Sequence, residues 1–519
     1  MNVLTYLKPE NGPVGAMFGA WLDDASSGRT TRVLVFLFIA ALASFAFISN
    51  ASVGPPTELL DTYVRALHPA AGYLSTAPLA PLIAAVWFLL LPPVDWALYL
   101  LAALNAGFAL FAVDLVARRE VTGDKRVLVL LFLILTPFYC IYGQRFDSDR
   151  TLLWAWPIAT LAFLRAFETR NLRWSVFAGI AAGVALYGGY QSVFLFAGFA
   201  AAALMHPERG TYLRSLSPWI TTAAAVVILV PHLYWLFQHD FAPLSTVVSQ
   251  HVGAPFGEVL RGVGAYLGGG VAGIVIPVLL WAVAVRPDRA TLVETLWPSD
   301  AKGRMLVLLF IVPLLLRAVL ALVAGTVLTA DGSAPGWFLL PVLMLRPAAA
   351  RVSRAAAIRI TVLVFAATII ALLVAPTIAS RLHKQGTPEG REYFRQVSFE
   401  VTRNWHMSVG RLLRIVMGDP HLAAAIAFLS PDHPDIVPDF DLQRAPFVSE
   451  GRLDGDGFIA VCRTEDTACV AEARRRAEGK VGTQFVNFQT RNLYGGAAGE
   501  LGRFFFVFVP PQPIVRVPK

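Results

Sequence analysis

For most of its length the chain alternates between long apolar runs and short polar breaks. The runs 33–49, 95–116, 127–143, 151–167, 174–188, 191–205, 218–236, 264–285, 305–326, 336–346 and 359–378 each predict a transmembrane helix, because about 20 apolar residues at 1.5 Å per residue cross a bilayer. The run 336–346 is short for this purpose. A further run, 77–92, "APLAPLIAAVWFLLLP", is rich in proline and predicts an interfacial or re-entrant helix instead. After residue 378 the apolar runs stop. "LLRIVMGD", "GFIAVCR", "QFVNFQTRN" and "RFFFVFVPP" read as strands, and "PHLAAAIAFL" and "EDTACVAEARRRAEG" as helices, the second ended by glycine. Such alternation predicts a small α/β layer domain. The expected fold is therefore a polytopic α-helical membrane protein. It has about 11 transmembrane helices, interfacial helices in the first outer loop, and a small C-terminal α/β extracytoplasmic domain. The expected segments are 1–32, 33–378 and 379–519.

Composition agrees: 56% of the 519 residues are hydrophobic and 15% charged, which excludes an ordinary soluble domain. A net charge of +8 would suggest nucleic acid in a soluble protein. Here the charge has another explanation. If 77–92 does not span, the N-terminus and alternate loops hold twenty Lys and Arg, from Lys8 through Arg359. The opposite loops hold four: Arg65, Arg145, Arg150 and Arg261. That asymmetry places the N-terminus in the cytoplasm and residues 379–519 outside it, with no nucleic-acid partner. The first 31 residues carry no cleavable signal pattern, so 33–49 is expected to be an uncleaved anchor. Cys140 lies in an apolar run and reads as packing. Cys462 and Cys469 either pair, if the tail meets an oxidising compartment, or sit on a strand and a helix that never meet. They lack zinc-like spacing to other ligands, so no metal site is expected.

With this threading Glu58, Asp61, Asp147, Asp149, Asp240 and Glu258 share the outer side. The cluster in "YGQRFDSDRTLLWAWP" is either a solvated turn or one corner of an outward site. Asp149 directly precedes "RTLLWAW", where it either caps a helix or reaches inward. Glu58, Asp61 and Arg65 stand at helical steps of three and four, so they share one face, as a site or as an internal salt bridge. Arg317, in "IVPLLLRAVLALVAG", lies roughly 18 Å into its span. An arginine at that depth is costly unless paired, and its guanidinium fits a phosphate as well as a carboxylate of another helix.

Five stretches carry a resemblance. "ELLDTYVRALHPAAGYLSTAPLAPLIAAVW" is similar to an Asp-Glu pair followed by "PALGYxDHPPL". "SDRTLLWAWPIATLAFLRA" holds Asp149 at a second-loop aspartate, "PHLYWLFQHDFAPLS" is like Trp-x-x-x-His-Asp, and "PGWFLLP" follows. In the tail, "RIVMGDPHLAAAIAFLSPDHP" resembles the outer domain of some members. The layout resembles the type C fold glycosyltransferases that use lipid-linked sugars. The nearest branch is the bacterial one related to protein O-mannosyltransferases and to lipid A aminoarabinose or galacturonic acid transferases. The resemblance implies a multi-pass enzyme of the bacterial inner membrane with a periplasmic C-terminal domain. It would move a sugar from a polyprenyl-phosphate donor to a lipid or surface-glycan acceptor. It implies Glu58 or Asp61 as base and Asp149 as a second acid. Arg65, Arg261 and Arg317 are implied for the donor phosphate, and His239, Asp240 and Tyr73 for the cavity wall. No cofactor is called for, and a divalent metal is left open. Several positions depart from the pattern: Leu59 replaces a Glu, Ser75 and Thr76 replace the acid and histidine of "DHPP", and Gly189 in "GGYQS" replaces a lysine. These departures leave a catalytically silent or divergent homologue, acting as a lipid- or glycan-binding scaffold, as the alternative. A transporter would need inverted repeats, and no internal repeat is visible.

Overall fold

The computed structural model describes residues 12–24, 28–242 and 253–512; Lys8, counted above among the inward charges, lies outside the described residues. The chain forms two compact units. One comprises Met1–Ala43, Ala70–Ala80 and Leu100–Ile370, the other Ser44–Pro69, Pro81–Tyr99 and Ala371–Lys519.

Every apolar run falls on helix, as the pattern predicts. Among the described residues six helices are long and apolar enough to cross a membrane: Arg29–Ser49, Asp95–Ala117, Ser217–Gln238, Phe256–Val285, Ala301–Ala324 and Arg354–Gln385. The run 127–143 is a pair, Asp124–Ile134 and Pro137–Gln144, bent by 67°. Pro137 starts the second piece, where its missing N–H costs nothing but the preceding helix cannot continue through it. The remaining runs form Ser148–Thr169, Leu172–Gly188, Ser192–Met205 and Leu339–Leu345. The last corrects the reading of 336–346 as a span. Seven helical residues rise only about 10 Å, because a 3-10 segment, Ala330–Gly336, takes up the preceding residues. The run 77–92 is a 12-residue helix, Leu79–Leu90, also too short to cross.

Small residues let the helices of the first unit approach closely. A Cβ on Gly179 would lie 2.4 Å from the Thr221 carbonyl oxygen, and one on Gly183 would lie 2.7 Å from Ile228. The helices Leu172–Gly188 and Ser217–Gln238 therefore pack almost backbone to backbone, as helices in lipid tend to do. The end of this unit that carries the basic loops is tied by ion pairs around Glu120. Its side chain is 2% exposed and lies 2.8 Å from Lys302 Nζ and 3.1 Å from Arg346 Nε. Arg346 also grips Asp300 through two bonds of 2.8 and 2.6 Å. Removing a buried ion while its partners stay is costly, so Glu120→Gln should lose about 3 kcal/mol. Earlier thermal unfolding in detergent would register this, and an unchanged melt would mean that Asp300 and Glu168 compensate fully.

The second unit holds a five-stranded sheet, ordered β2-β1-β3-β5-β4. Its strands are β1 (Ile415–Gly418), β2 (Asp435–Pro438), β3 (Phe458–Arg463), β4 (Gln484–Tyr494) and β5 (Ala497–Val509). β1 runs parallel to β2 and β3, whereas β5 runs antiparallel to β3 and β4. The predicted strands and both predicted helices are present, the helices being Pro420–Leu429 and Thr467–Ala477. Cys462 on β3 and Cys469 on the second of these are joined in a disulfide, with Cα atoms 5.7 Å apart. Thiol labelling of the unfolded, unreduced protein should therefore find one free cysteine, Cys140, and all three after reduction. Three labelled cysteines before reduction would show an unpaired tail.

Candidate active site

In the first unit the charge cluster of "FDSDR" meets the arginine of the span Ala301–Ala324. Asp147, in extended backbone, is the N-cap of Ser148–Thr169, and its carboxylate accepts from the Arg150 N–H at 3.0 Å. Capping is thus done by Asp147. Asp149, one residue into the helix, is left for other work. Its Oδ1 accepts from Gln191 Nε2 at 3.1 Å. Gln191 Oε1 in turn accepts from Arg317 Nη1, which also donates to the Gly332 carbonyl at 2.7 Å. The guanidinium sits 5.4 Å from the centre of the Tyr266 ring, a cation–π contact. Among the described residues Arg317 forms no ion pair, and the acceptors on its Nη1 are neutral. Arg150 has the opposite character. It is neutralised by Asp331 at 2.8 Å and Asp147 at 3.4 Å, and lies 5.5 Å from the Tyr142 ring.

Two recesses meet at Asp149. A narrow groove is lined by Phe138, Tyr142, Asp149, Arg150, Gln191, Asp331 and Gly332. A cavity of about 200 Å³ is lined by Leu74, Ser75, Thr76, Asp147, Asp149, Gly189 and Tyr190. Asp149 is the residue common to both linings. Asp149 itself is exposed where the recesses open, while the protein around them desolvates its carboxyl. Burial, reinforced by the negative charge of Asp147, pushes its pKa up to about 6 against the pull of Arg150 and Arg317. The carboxyl precedes the apolar run 151–167 and so lies outside the span.

The loop before Leu79 is stitched to this helix. Thr76 Oγ1 donates to Ser148 Oγ at 3.1 Å, and Ser148 Oγ donates to the Ala77 carbonyl at 2.5 Å. The replaced positions Ser75 and Thr76 therefore line the cavity as small hydroxyls. Gly189 does so with limited room: a Cβ there would lie 3.0 Å from Leu152 Cδ1 and 3.6 Å from Asp149 Oδ1. Gly72 has no such latitude, because a Cβ would sit 2.1 Å from the Trp235 ring. Tyr73 turns its hydroxyl back to accept from the Ala70 N–H at 3.1 Å.

Other expected residues fall elsewhere. Arg261 is exposed near the start of Phe256–Val285 and lines neither recess. His239 is the exposed C-cap of Ser217–Gln238, stacked 4.1 Å from Trp235, with exposed Asp240 beside it at φ 49°. The buried histidine of that stretch is His232. It contacts the Tyr190 hydroxyl at 3.1 Å and the Ala71 carbonyl at 2.7 Å. Glu58, Asp61 and Arg65 belong to the second unit, on the amphipathic helix Thr57–Leu67. That helix buries Leu59, Leu60 and Tyr63, the last at 5.0 Å from the Phe428 ring. Burial raises the Asp61 pKa, opposed by the charges of Arg65 and His421. The Nδ1 of His421 is itself buried without a hydrogen-bond partner among the described residues. No group of three or more His, Cys, Asp or Glu suited to a metal occurs among the described residues.

Comparison with known proteins bears on the fold and on the family resemblance. Residues 75–235 match the family model described as dolichyl-phosphate-mannose-protein mannosyltransferase. Over 107 residues the chain is 30% identical to the lipid A galacturonosyltransferase RgtD of Rhizobium johnstonii. That stretch covers 21% of this chain and spans only 22% of the relative's length. The fold is similar to crystal structures of ArnT from Cupriavidus metallidurans. The form bound to undecaprenyl phosphate superposes with TM-score 0.57 at 14% identity, covering 94% of this chain and 99% of that one. The apo form gives 0.56, covering 92% and 98%. The family resemblance and the helical membrane fold with a small C-terminal sheet domain, both read from the sequence, are borne out.

Proposed function

We propose that this chain, which has the type C glycosyltransferase fold, moves a single sugar from a polyprenyl-phosphate donor to a hydroxyl of a lipid or envelope-glycan acceptor. The observation that carries the reading is the chain Arg317–Gln191–Asp149, which joins a cation without a carboxylate partner to a carboxylate of raised pKa. Arg317 offers its positive charge to the donor phosphate. The acceptor oxygen attacks the anomeric carbon as the bond from that carbon to the phosphate oxygen breaks. A carboxylate takes the acceptor proton, and polyprenyl phosphate leaves with the electron pair, its charge stabilised by the guanidinium. Asp149 is the proposed proton acceptor. Glu58 and Asp61, on the amphipathic helix Thr57–Leu67, are the alternative carboxylates for that proton. The undecaprenyl phosphate bound to the structurally similar ArnT supports a donor of this class.

The replaced positions Leu59, Ser75, Thr76 and Gly189 favour a second reading, a silent homologue that binds lipid or glycan without transfer. One assay separates the two: purified protein with polyprenyl-phosphate sugars and envelope lipids, followed for release of polyprenyl phosphate. Donor binding without any release would leave the silent reading. Mass spectrometry of surface glycolipids from a deletion strain would then identify the missing sugar.

The charge asymmetry supports a cytoplasmic N-terminus and a periplasmic C-terminal domain. A reporter active only outside the cytoplasm should give signal when fused after residue 145 or 400, and none after 122 or 210. Signal at 122 would overturn the threading.

A further inference from the structure

A second cavity, of about 190 Å³, opens where the last turn of Ser192–Met205 meets the first turn of Ala301–Ala324. This is the end of the first unit that carries the basic loops. Its apolar lining includes Met205, Met305 and Leu308. Its polar lining comes from Arg304 and His206, both half-buried, beside the indole of Trp297, which is 47% exposed.

Arg304 differs from the other cations nearby. Arg119, Lys302, Arg346 and Arg354 all pair with carboxylates. The Arg304 side chain makes no hydrogen bond or ion pair among the described residues. The neighbouring acids are already engaged. Glu208 lies 3.5 Å from Arg170, Glu294 accepts from the Ser299 N–H and hydroxyl, and Asp300 holds Arg346 and the Gly303 N–H. His206 Nδ1 accepts from the Glu208 N–H at 3.1 Å, which leaves the neutral ring's hydrogen on Nε2 as a donor. A half-buried guanidinium and a second donor over an apolar floor suit an anion that carries hydrocarbon. An exposed tryptophan at the end of a span is the usual mark of the membrane–water boundary. Basic recesses between transmembrane helices recognise lipid phosphates by this chemistry.

We propose that this cavity binds the phosphodiester headgroup of a membrane glycerophospholipid, with Arg304 and His206 on the phosphate and the glycerol against the methionines. On the proposed orientation the lipid belongs to the inner leaflet, so the site is distinct from the donor site on the outer side. The test uses the full-length, delipidated protein titrated with phosphatidylglycerol and read by native mass spectrometry. Arg304→Ala should weaken the tightest lipid about tenfold, the effect of one charge-assisted contact. Arg304→Lys should restore part of it, and Arg351→Ala, at an exposed cation outside the lining, should change nothing. Excess inorganic phosphate should fail to displace the lipid; full displacement would overturn the proposal in favour of a free phosphate site. Unchanged lipid affinity in a normally melting Arg304→Ala protein would also overturn it. An independent reading needs no change at Arg304. Brominated phosphatidylglycerol should quench a fluorescence component that the Trp297→Phe protein lacks, and absence of that component would count equally against the site.

Discussion

Arg317→Leu should lower sugar transfer by about 10²–10³-fold with little change in melting, because it removes the charge proposed to meet the departing phosphate. The case rests on what surrounds the guanidinium. An arginine of purely structural use would be neutralised by a carboxylate, as Arg150 at the start of Ser148–Thr169 is by Asp331 and Asp147. Arg317 is held by the Gln191 amide oxygen, the Gly332 carbonyl and the Tyr266 ring, which orient it and leave its charge in place. Arg317→Lys keeps that charge, but an ammonium cannot reproduce the planar fork that matches phosphate. It should show a smaller loss, most of it in the KM for the donor. Arg317→Gln separates orientation from charge: it retains donors but no charge, and should be nearly as poor as leucine. Transfer by Arg317→Leu at the parental rate would remove the arginine from the reaction and leave only its packing against Tyr266.

The helices were legible because partition into lipid is a local property of composition, carried by each apolar run independently of the others. Crossing was less legible. Leu339–Leu345 shows why: apolar composition continues through 336–346, but the backbone of Ala330–Gly336 winds as a 3-10 segment and shortens the helix. In the tail, β2 is illegible because "DIVP" is four residues long with no alternation. The helix Phe394–Val409 does carry a signal, since Phe394, Val397, Val401 and Trp405 recur at helical spacing in a polar background. Within the groove, Asp149 and Arg317 drew notice because charge is conspicuous in apolar sequence. Gln191, Tyr266 and Asp331 carried no such signal. They come from three separate segments, and only tertiary packing brings them to the same guanidinium and helix end. In "PHLYWLFQHD" the charged His239–Asp240 pair is the conspicuous feature, whereas the fold buries His232, two turns earlier on the helix. Gly189 became interpretable only with its neighbours known. The position lies between Leu152 and Asp149, and the link from Asp149 to a cation runs instead through Gln191 to Arg317.

Asp149→Asn should cut transfer by about 10²–10⁴-fold, or roughly 3–5 kcal/mol of barrier, while the protein melts no lower than its parent. A capping aspartate would tolerate asparagine, since the two cap almost equally well. Here the cap is Asp147, so the substitution leaves the helix start intact and tests the carboxylate alone. Asparagine can still accept from Gln191, so the chain toward Arg317 also survives; only the basic oxygen is lost. The raised pKa adds two signatures. As a base Asp149 acts ionised, so the parent's rate should fall as pH drops through about 6, and the residual rate of Asp149→Asn should lack that limb. The sign for stability is the reverse of an ion-paired carboxylate. The folded chain binds this proton more tightly than the unfolded one, so the group favours folding at low pH. That contribution is lost as pH rises from about 4 to about 6, the window between the unfolded and folded values. A neutral asparagine escapes this loss, which is why no drop in melting is expected at neutral pH. Full activity in Asp149→Asn, with the acid limb intact, would move the proton transfer to the first loop. Glu58→Gln and Asp61→Asn would then have to carry the same loss.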